Sequence, residues 1–195
     1  MTLRRALEPL GWRTHFESQR PDVEAIATSL GKPLVVGRVT SEQRYHHDVH
    51  TGDTVIRARV AGRLRHTAES PLDLPATGDW VAVDANDSDE PNIVYVLERF
   101  GCLVRQSAGR RPRPQVVASN LDTVFVTTSM NEDFNERRLE RYLVVAFEAG
   151  ARPVIVLTKS DLTSSPRSFV DRTRSVALDH VPIITVCAPQ DDGLD

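Results

Sequence analysis

Between positions 34 and 100 the chain runs through short β-rich segments separated by turn signals: LVVGRV, then TVIRARV after Thr51-Gly52-Asp53, then DWVAVD after Gly78, then NIVYVLERF after the acidic loop DANDSDE. Short strands at such spacing predict a small barrel, and five strands in about 70 residues suit an OB-type barrel. Residues 1–33 mix short amphipathic pieces with Gly11, Pro21, Gly31 and Pro33, which reads as an N-terminal arm with a turn or two of helix. The segment 99–114 holds five arginines, two prolines and no acid, so 101–115 is expected to be a basic linker. From 116 to 195 the period changes. LDTVFVTT is a strand, and FNERRLERYLVVAFEAG a helix with Leu139, Tyr142, Leu143, Ala146 and Phe147 on one face. PVIVLT, a helix near PRSFVDRTRSVAL and the strand PIITVC complete a βαβαβ series. The expected architecture is multidomain: a β-barrel at 34–100 followed by a parallel α/β sheet whose ligand sites lie beyond the strand carboxyl ends.

Read at period two, 54–65 places Thr54, Ile56, Ala58, Val60, Gly62 and Leu64 on one side of a strand. Arg57, Arg59, Arg63 and Arg65 fall on the other with Val55 and Ala61, and no acid interrupts them. Such a face is expected to contact RNA, although a bulge at Gly62 would split the stripe into two pairs.

Composition changes this picture little. With 195 residues, 40% hydrophobic and 26% charged, two globular domains are affordable. The net charge of -3 divides unevenly: 16 Lys+Arg against 15 Asp+Glu over 1–115, and 8 against 12 over 116–195. Cys102 and Cys187 stand far apart and suggest neither a disulfide framework nor a zinc motif, so a cytoplasmic protein with both thiols reduced is expected. No apolar run reaches the 18 or so residues of a membrane span, and the N-terminus lacks the apolar stretch of a secretory signal.

The sharpest candidate chemistry is Thr158-Lys159-Ser160-Asp161, a polar loop closing the run PVIVLT. A carboxylate at Asp161 can accept from the N1-H and the exocyclic amine of guanine together, whereas adenine offers an acceptor at N1 and nothing at C2. The methylene stem of Lys159 can lie along the flat face of a base. The following strand ends in Val186-Cys187-Ala188, where GTP-binding domains carry a segment whose backbone N-H meets guanine O6. A phosphate-binding Gly-x-x-x-x-Gly-Lys-[Ser/Thr] loop does not precede this loop: the only Gly-Lys pair, Gly31-Lys32, is followed by Pro33 and has Ile26 where the first glycine should stand. A phosphate loop is therefore expected after residue 195 or not at all.

These motifs, with LGW, GRLRH, LPATGDWVAVD, RQSAGRRPRPQVVASNLDTVFVTTSMNEDFNERRLERYLV and ARPVIVLTKSDL, resemble the RsgA/YjeQ family of circularly permuted GTPases that act late in maturation of the small (30S) ribosomal subunit. The resemblance implies an N-terminal OB-fold that binds rRNA, followed by the first half of a permuted P-loop GTPase domain, with Thr158, Lys159, Ser160, Asp161, Cys187 and Ala188 at the guanine. It further implies GTP with Mg2+ as the bound nucleotide, GTP/GDP and the small ribosomal subunit with its rRNA as partners, a monomer, and one zinc in a C-terminal domain outside these residues. The 195 residues alone are expected to be inactive as a GTP hydrolase. Thr158 replaces the general Asn of the loop, and Cys187 the usual Ser. The rival expectation is a non-enzymatic OB-fold RNA-binding protein with a degenerate α/β domain; a phosphate loop encoded beyond residue 195 would separate the two.

Weaker candidates have blander readings. His46, His47 and His50 in YHHDVH could ligate a metal but read as a solvated turn between strands. Ser107 and Gly109 in RQSAGRR resemble a phosphate-contacting turn yet suit an ordinary basic linker. Asp122 and Asp133 read as flankers of strand and helix.

Overall fold

The computed structural model describes residues 3–86, 90–107 and 112–194. They form two compact units, Met1–Asn120 and Leu121–Asp195.

The first unit opens with α1 (Leu3–Leu7), α2 (Thr14–Glu17) and α3 (Arg20–Leu30). Strands β1 (Val35–Glu42), β2 (His47–His50) and β3 (Val55–Val60) follow, then α4 (Gly62–Thr67), β4 (Trp80–Asp84) and β5 (Asn92–Val96). The strands close into a barrel in the order β1-β2-β3-β5-β4, β1 pairing antiparallel with both β2 and β4, and β3 running parallel to β5. Five strands in this order with a helix between the third and fourth make an OB-like barrel. Alternate residues Val39, Val49, Ala58, Val81, Val83 and Ile93 fill its interior.

Four sequence expectations change in this unit. The stretch YHHDVH is a turn only at Tyr45 and His46: His47 and Val49 are buried and His47–His50 pairs with β1 and β3, a period-two pattern that polar residues conceal. The arginine stripe is not one strand. β3 ends at Val60, and the Ala61 N-H then bonds Ile93 O at 2.9 Å. Gly62–Thr67 coils into α4, carrying Arg63 and Arg65 off the strand. The N-terminal arm holds more helix than the turn or two expected, and it is packed. Leu7, Trp12, Phe16 and Val23 are buried with Val36, Trp80, Ala82 and Leu97 in a second core, where the Trp12 and Trp80 rings meet edge-on at 4.8 Å.

The expected basic linker contributes two strands, one on either side of 107–113. β6 (Cys102–Gln106) and β7 (Pro114–Ser119) form an antiparallel ribbon from Cys102↔Ser119 to Gln106↔Pro114. Pro114 opens its strand, a position where a missing N-H is tolerated. The ribbon reaches the barrel at Gly78, whose positive φ of 95 no side chain would share: a Cβ there would lie 2.2 Å from Ser119 O. Arg38 ties the unit together, donating to Leu10 O at 2.5 Å, Gly78 O at 3.2 Å and Asn120 O at 3.0 Å.

In the second unit β8 (Thr123–Ser129), α5 (Glu136–Glu148), β9 (Arg152–Thr158), α6 (Pro166–Arg174) and β10 (Ile183–Val186) realise the βαβαβ series. All strand pairs are parallel, in the order β10-β9-β8. Asn135 caps α5 by accepting from Arg138 N at 2.9 Å. Of the predicted helix face, Leu139, Leu143 and Ala146 are buried, whereas Tyr142 and Phe147 are exposed. Both helices pack on one side of the sheet: Leu139 and Leu143 of α5, with Phe169 and Val170 of α6, meet Val126, Ile155, Leu157 and Ile183. Phe125 and Ile184 fall on the alternate side, 66% and 41% exposed.

Candidate functional site

The carboxyl ends of β9 and β10 carry the predicted base-reading residues. Thr158 is the last residue of β9, in register with Ser129 on one side and Val186 on the other. Its hydroxyl donates to Thr128 O at 3.3 Å, and its carbonyl accepts from Met130 N at 2.9 Å. The Thr158 hydroxyl thus braces the strand end, leaving Lys159 to turn the chain.

Lys159 has φ 58 and ψ 45, the left-handed region that a residue with a Cβ adopts only when its surroundings enforce it. Ser160–Leu162 then forms one turn of 3-10 helix, closed by Leu162 N on Lys159 O at 3.1 Å. This reversal leaves Lys159 and Asp161 exposed and Ser160 half-buried. An exposed Asp161 gains selectivity only when a base covers it, because the cost of a missing donor arises on desolvation.

Cys187, fully buried, donates its thiol to Asp161 Oδ1 at 3.2 Å, so the two strand ends converge on one carboxylate. The backbone of Cys187 exchanges bonds with Asp192, N to O at 2.9 Å and O from N at 3.2 Å. Gly193 closes the loop at φ 74, where a Cβ would lie 2.2 Å from Thr185 O. Ala188 begins a 3-10 turn, a position whose N-H has no partner within the turn. All six predicted residues therefore stand on two adjacent loops.

Sequence reading missed the neighbouring wall. Thr127, Thr128, Ser129, Asp133 and Arg138 join Thr158 and Lys159 around an open cleft of about 610 Å³. Asn131 shapes that wall, accepting from Ser129 Oγ at 2.7 Å and Asp133 N at 3.1 Å, and Arg138 donates to Asp133 O. The signal was the polar stretch SMNEDFN after a buried strand. Asp133 is thus a cleft residue as well as a helix flanker, and Asp122 flanks β9 through its carbonyl, 3.0 Å from Arg152 N.

On the barrel the expected acid-free face acquires acids from its neighbours. Asp48 stands directly opposite Arg57, with Arg57 Nε at 3.4 Å from Asp48 Oδ1, and Arg59 pairs with Glu90 at 2.6 Å and donates to His46 Nε2 at 3.2 Å. Arg63 and Arg65 are exposed on α4. The turn between β1 and β2 adds an unforeseen pair, Tyr45, 59% exposed, under the Arg44 guanidinium at 5.2 Å. An aromatic ring beside arginine in a polar turn was the signal.

The three histidines diverge. The His47 ring meets Pro75 O at 3.2 Å, and His50 Nδ1 accepts from Gly52 N at 3.0 Å. Among the described residues no group of three His, Cys, Asp or Glu gathers to hold a metal ion. Ser107 bonds Arg113 within the ribbon; Gly109 lies outside the described residues.

The sequence pattern of the RsgA GTPase family matches residues 96–195, from the last strand of the barrel through the whole α/β unit. The chain belongs to the RsgA GTPase family. It is 40% identical over 164 residues to the small ribosomal subunit biogenesis GTPase RsgA 1 of Oceanobacillus iheyensis, covering 84% of this chain and 46% of that one. It is 36% identical over 187 residues to the RsgA of Methanosarcina acetivorans, covering 95% and 47%. This member of the RsgA family therefore spans about half the length of the curated relatives it matches. Its fold is that of YjeQ from Thermotoga maritima (TM-score 0.63, 19% identity, 83% of this chain and 55% of that). It also matches YloQ, a circularly permuted GTPase (TM-score 0.55, 21% identity, 80% and 53%). No helix among the described residues is long and apolar enough to cross a membrane.

Proposed function

We propose that these residues supply the RNA-anchoring barrel and the base-reading half of a GTPase of small-ribosomal-subunit biogenesis. The observation that carries the reading is the convergence of two parallel strand ends on Asp161, the place where an open α/β sheet holds its ligand. In it Asp161 takes the two guanine donors, Lys159 walls one face of the ring, and the N-H of Ala188 meets O6. The protein's part in phosphoryl transfer is positioning and charge stabilisation. These residues fit the base, but they do not fit a triphosphate with Mg2+, since no phosphate loop occurs among them, nor a zinc, since the only cysteines stand in different units. Weak guanine-nucleotide binding and no hydrolysis are expected of this chain.

On the barrel the RNA contact rests on Arg57 and Arg59 of β3, Arg63 and Arg65 of α4, and the Arg44 and Tyr45 turn, the loop that OB barrels commonly use for oligonucleotides.

The test is Asp161→Asn. Xanthine carries a carbonyl at C2, which an amide N-H meets and a carboxylate repels, so the variant should lose guanine-nucleotide affinity and gain xanthine-nucleotide affinity in competition titrations. Equal guanine-nucleotide affinity in variant and parent would remove Asp161 from the base.

A further inference from the structure

Between the Gln106–Pro114 end of the β6–β7 ribbon and the loop that precedes β4, the first unit holds a cavity of about 270 Å³ lined by Glu42, Pro75, Ser107, Arg113, Pro114 and Gln115 among others. Both of its walls are fixed. On the barrel side, Ser70 and Asp73 form a capping box around the turn Pro71–Asp73. Arg99 holds Leu72 O at 2.5 Å and Leu74 O at 2.9 Å, and Ala76 N donates to Asp79 Oδ2 at 2.8 Å. On the ribbon side, Ser107 N donates to Arg113 O at 2.8 Å while Ser107 Oγ accepts from Arg113 N at 3.0 Å. The cavity is therefore preformed.

Its chemistry is divided. Proline rings give flat apolar walls without N-H donors, and the polar groups stand at the rim. Glu42, Arg113 and Gln115 are exposed there, and among the described residues neither Glu42 nor Arg113 has an ion-pair partner. The sequence 99–120 contains no acid to oppose a phosphate. The volume falls just below the roughly 300–1,000 Å³ of pockets that enclose a whole drug-sized ligand, which suits one flat ring system.

We propose that this cavity receives a single unpaired nucleobase bearing an exocyclic amine, from an RNA strand whose phosphate is held by Arg113. The proposal rests on the reading of the barrel as an RNA-binding unit. Unstacked bases splayed from a single strand are the usual object of such pockets. Glu42 accepts from the amine of cytosine, adenine or guanine, and Gln115 supplies both a donor and an acceptor to the same edge. Uracil is disfavoured, because its N3-H is flanked by two carbonyls that face the carboxylate. The guanidinium of Arg113 makes the charge-assisted, two-pronged contact that phosphate geometry favours.

The experiment titrates this chain with fluorescein-labelled hexacytidylate, hexaadenylate and hexauridylate. Three variants are compared, with folding checked by circular dichroism: Glu42→Gln, Arg113→Ala with Gln115→Ala, and Arg57→Glu with Arg59→Glu. The expected result is a preference of about fivefold or more for the cytidine and adenosine strands over uridine. Glu42→Gln should flatten that preference, and the Arg113/Gln115 variant should lose both affinity and preference. If the parent and both cavity variants bind all three strands alike while the Arg57/Arg59 variant binds them weakly, the cavity is overturned and RNA binding by the barrel stands. If the parent binds none of them, both readings fall.

Discussion

The thiol of Cys187 lies 3.2 Å from Oδ1 of Asp161, at the meeting of the loops after β10 and β9. A buried donor on one oxygen fixes the rotation of the carboxylate and leaves its outward lone pairs for a base. Cys187→Ala should therefore weaken guanine-nucleotide binding by about three- to tenfold, and Cys187→Ser should retain it, because a hydroxyl supplies the same donor. Inosine nucleotides, which lack the exocyclic amine, should lose less than guanine nucleotides do. A uniform loss for both bases in Cys187→Ala would point to general loosening instead.

Gly193 offers a backbone counterpart. Its φ is positive, and a methyl group on its Cα would stand 2.2 Å from Thr185 O, which leaves no room for alanine. Gly193→Ala should open the Cys187–Asp192 pairing, speed hydrogen exchange at the Cys187 amide and lower guanine-nucleotide affinity. The melting of the barrel should be unaffected, which separate tryptophan fluorescence would show, since Trp12 and Trp80 both lie in the first unit.

Much of the second unit was legible because its strands are continuous apolar runs that stop abruptly, so the residue pattern alone puts the Thr158–Asp161 loop at a strand end. The first unit was harder. The alternation of 54–65 continues unbroken through Gly62, and nothing in it shows that the pairing of β3 ends where Ala61 bonds Ile93. Nor can one strand's pattern reveal that Asp48 stands across from Arg57, because cross-strand neighbours depend on register. Trp12 and Phe16 lie in elements too short for a periodicity, and their burial against Trp80 is a tertiary fact.

Arg99 and Asp79 form a two-point ion pair, Nε to Oδ1 at 2.7 Å and Nη2 to Oδ2 at 2.6 Å, with Asp79 fully buried. Burial opposes the charge of Arg99, but the bonds and the charge of Asp79 outweigh it and hold its pKa above the usual value. Arg99→Met would strand a buried carboxylate and release Leu72 O and Leu74 O. A loss of about 3–5 kcal/mol in chemical denaturation of the barrel is expected. A loss under about 1 kcal/mol would mean that water replaces the guanidinium.

His47 makes the first unit sensitive to mild acid. Burial holds its pKa below the ordinary value of 6.5, with Arg65 acting in the same direction and Glu42, Pro75 O and Asp79 against it. Among the described residues buried Nδ1 has no hydrogen-bond partner, so a second proton there finds no acceptor among them. The unfolded chain therefore takes up its proton first, and stability should fall as pH drops below about 6.5, by at most ~1.4 kcal/mol per pH unit for this one group. His47→Gln should flatten the slope of melting temperature between about pH 6.5 and 5. An identical slope in the variant would assign the sensitivity to other groups.

A parallel sheet is ordinarily sandwiched between layers of helix. Here α5 and α6 share one side, and water wets Phe125 and Ile184 on the other. A polypeptide of this extent should accordingly behave as an amphiphile. It should brighten anilinonaphthalene dyes while fully folded, linger on a phenyl column in ammonium sulfate, and turn cloudy with rising concentration sooner than its net charge of -3 alone would suggest. Phe125→Lys, which puts a charge on that wet side at the edge strand β8 without touching the buried one, should relieve all three behaviours together.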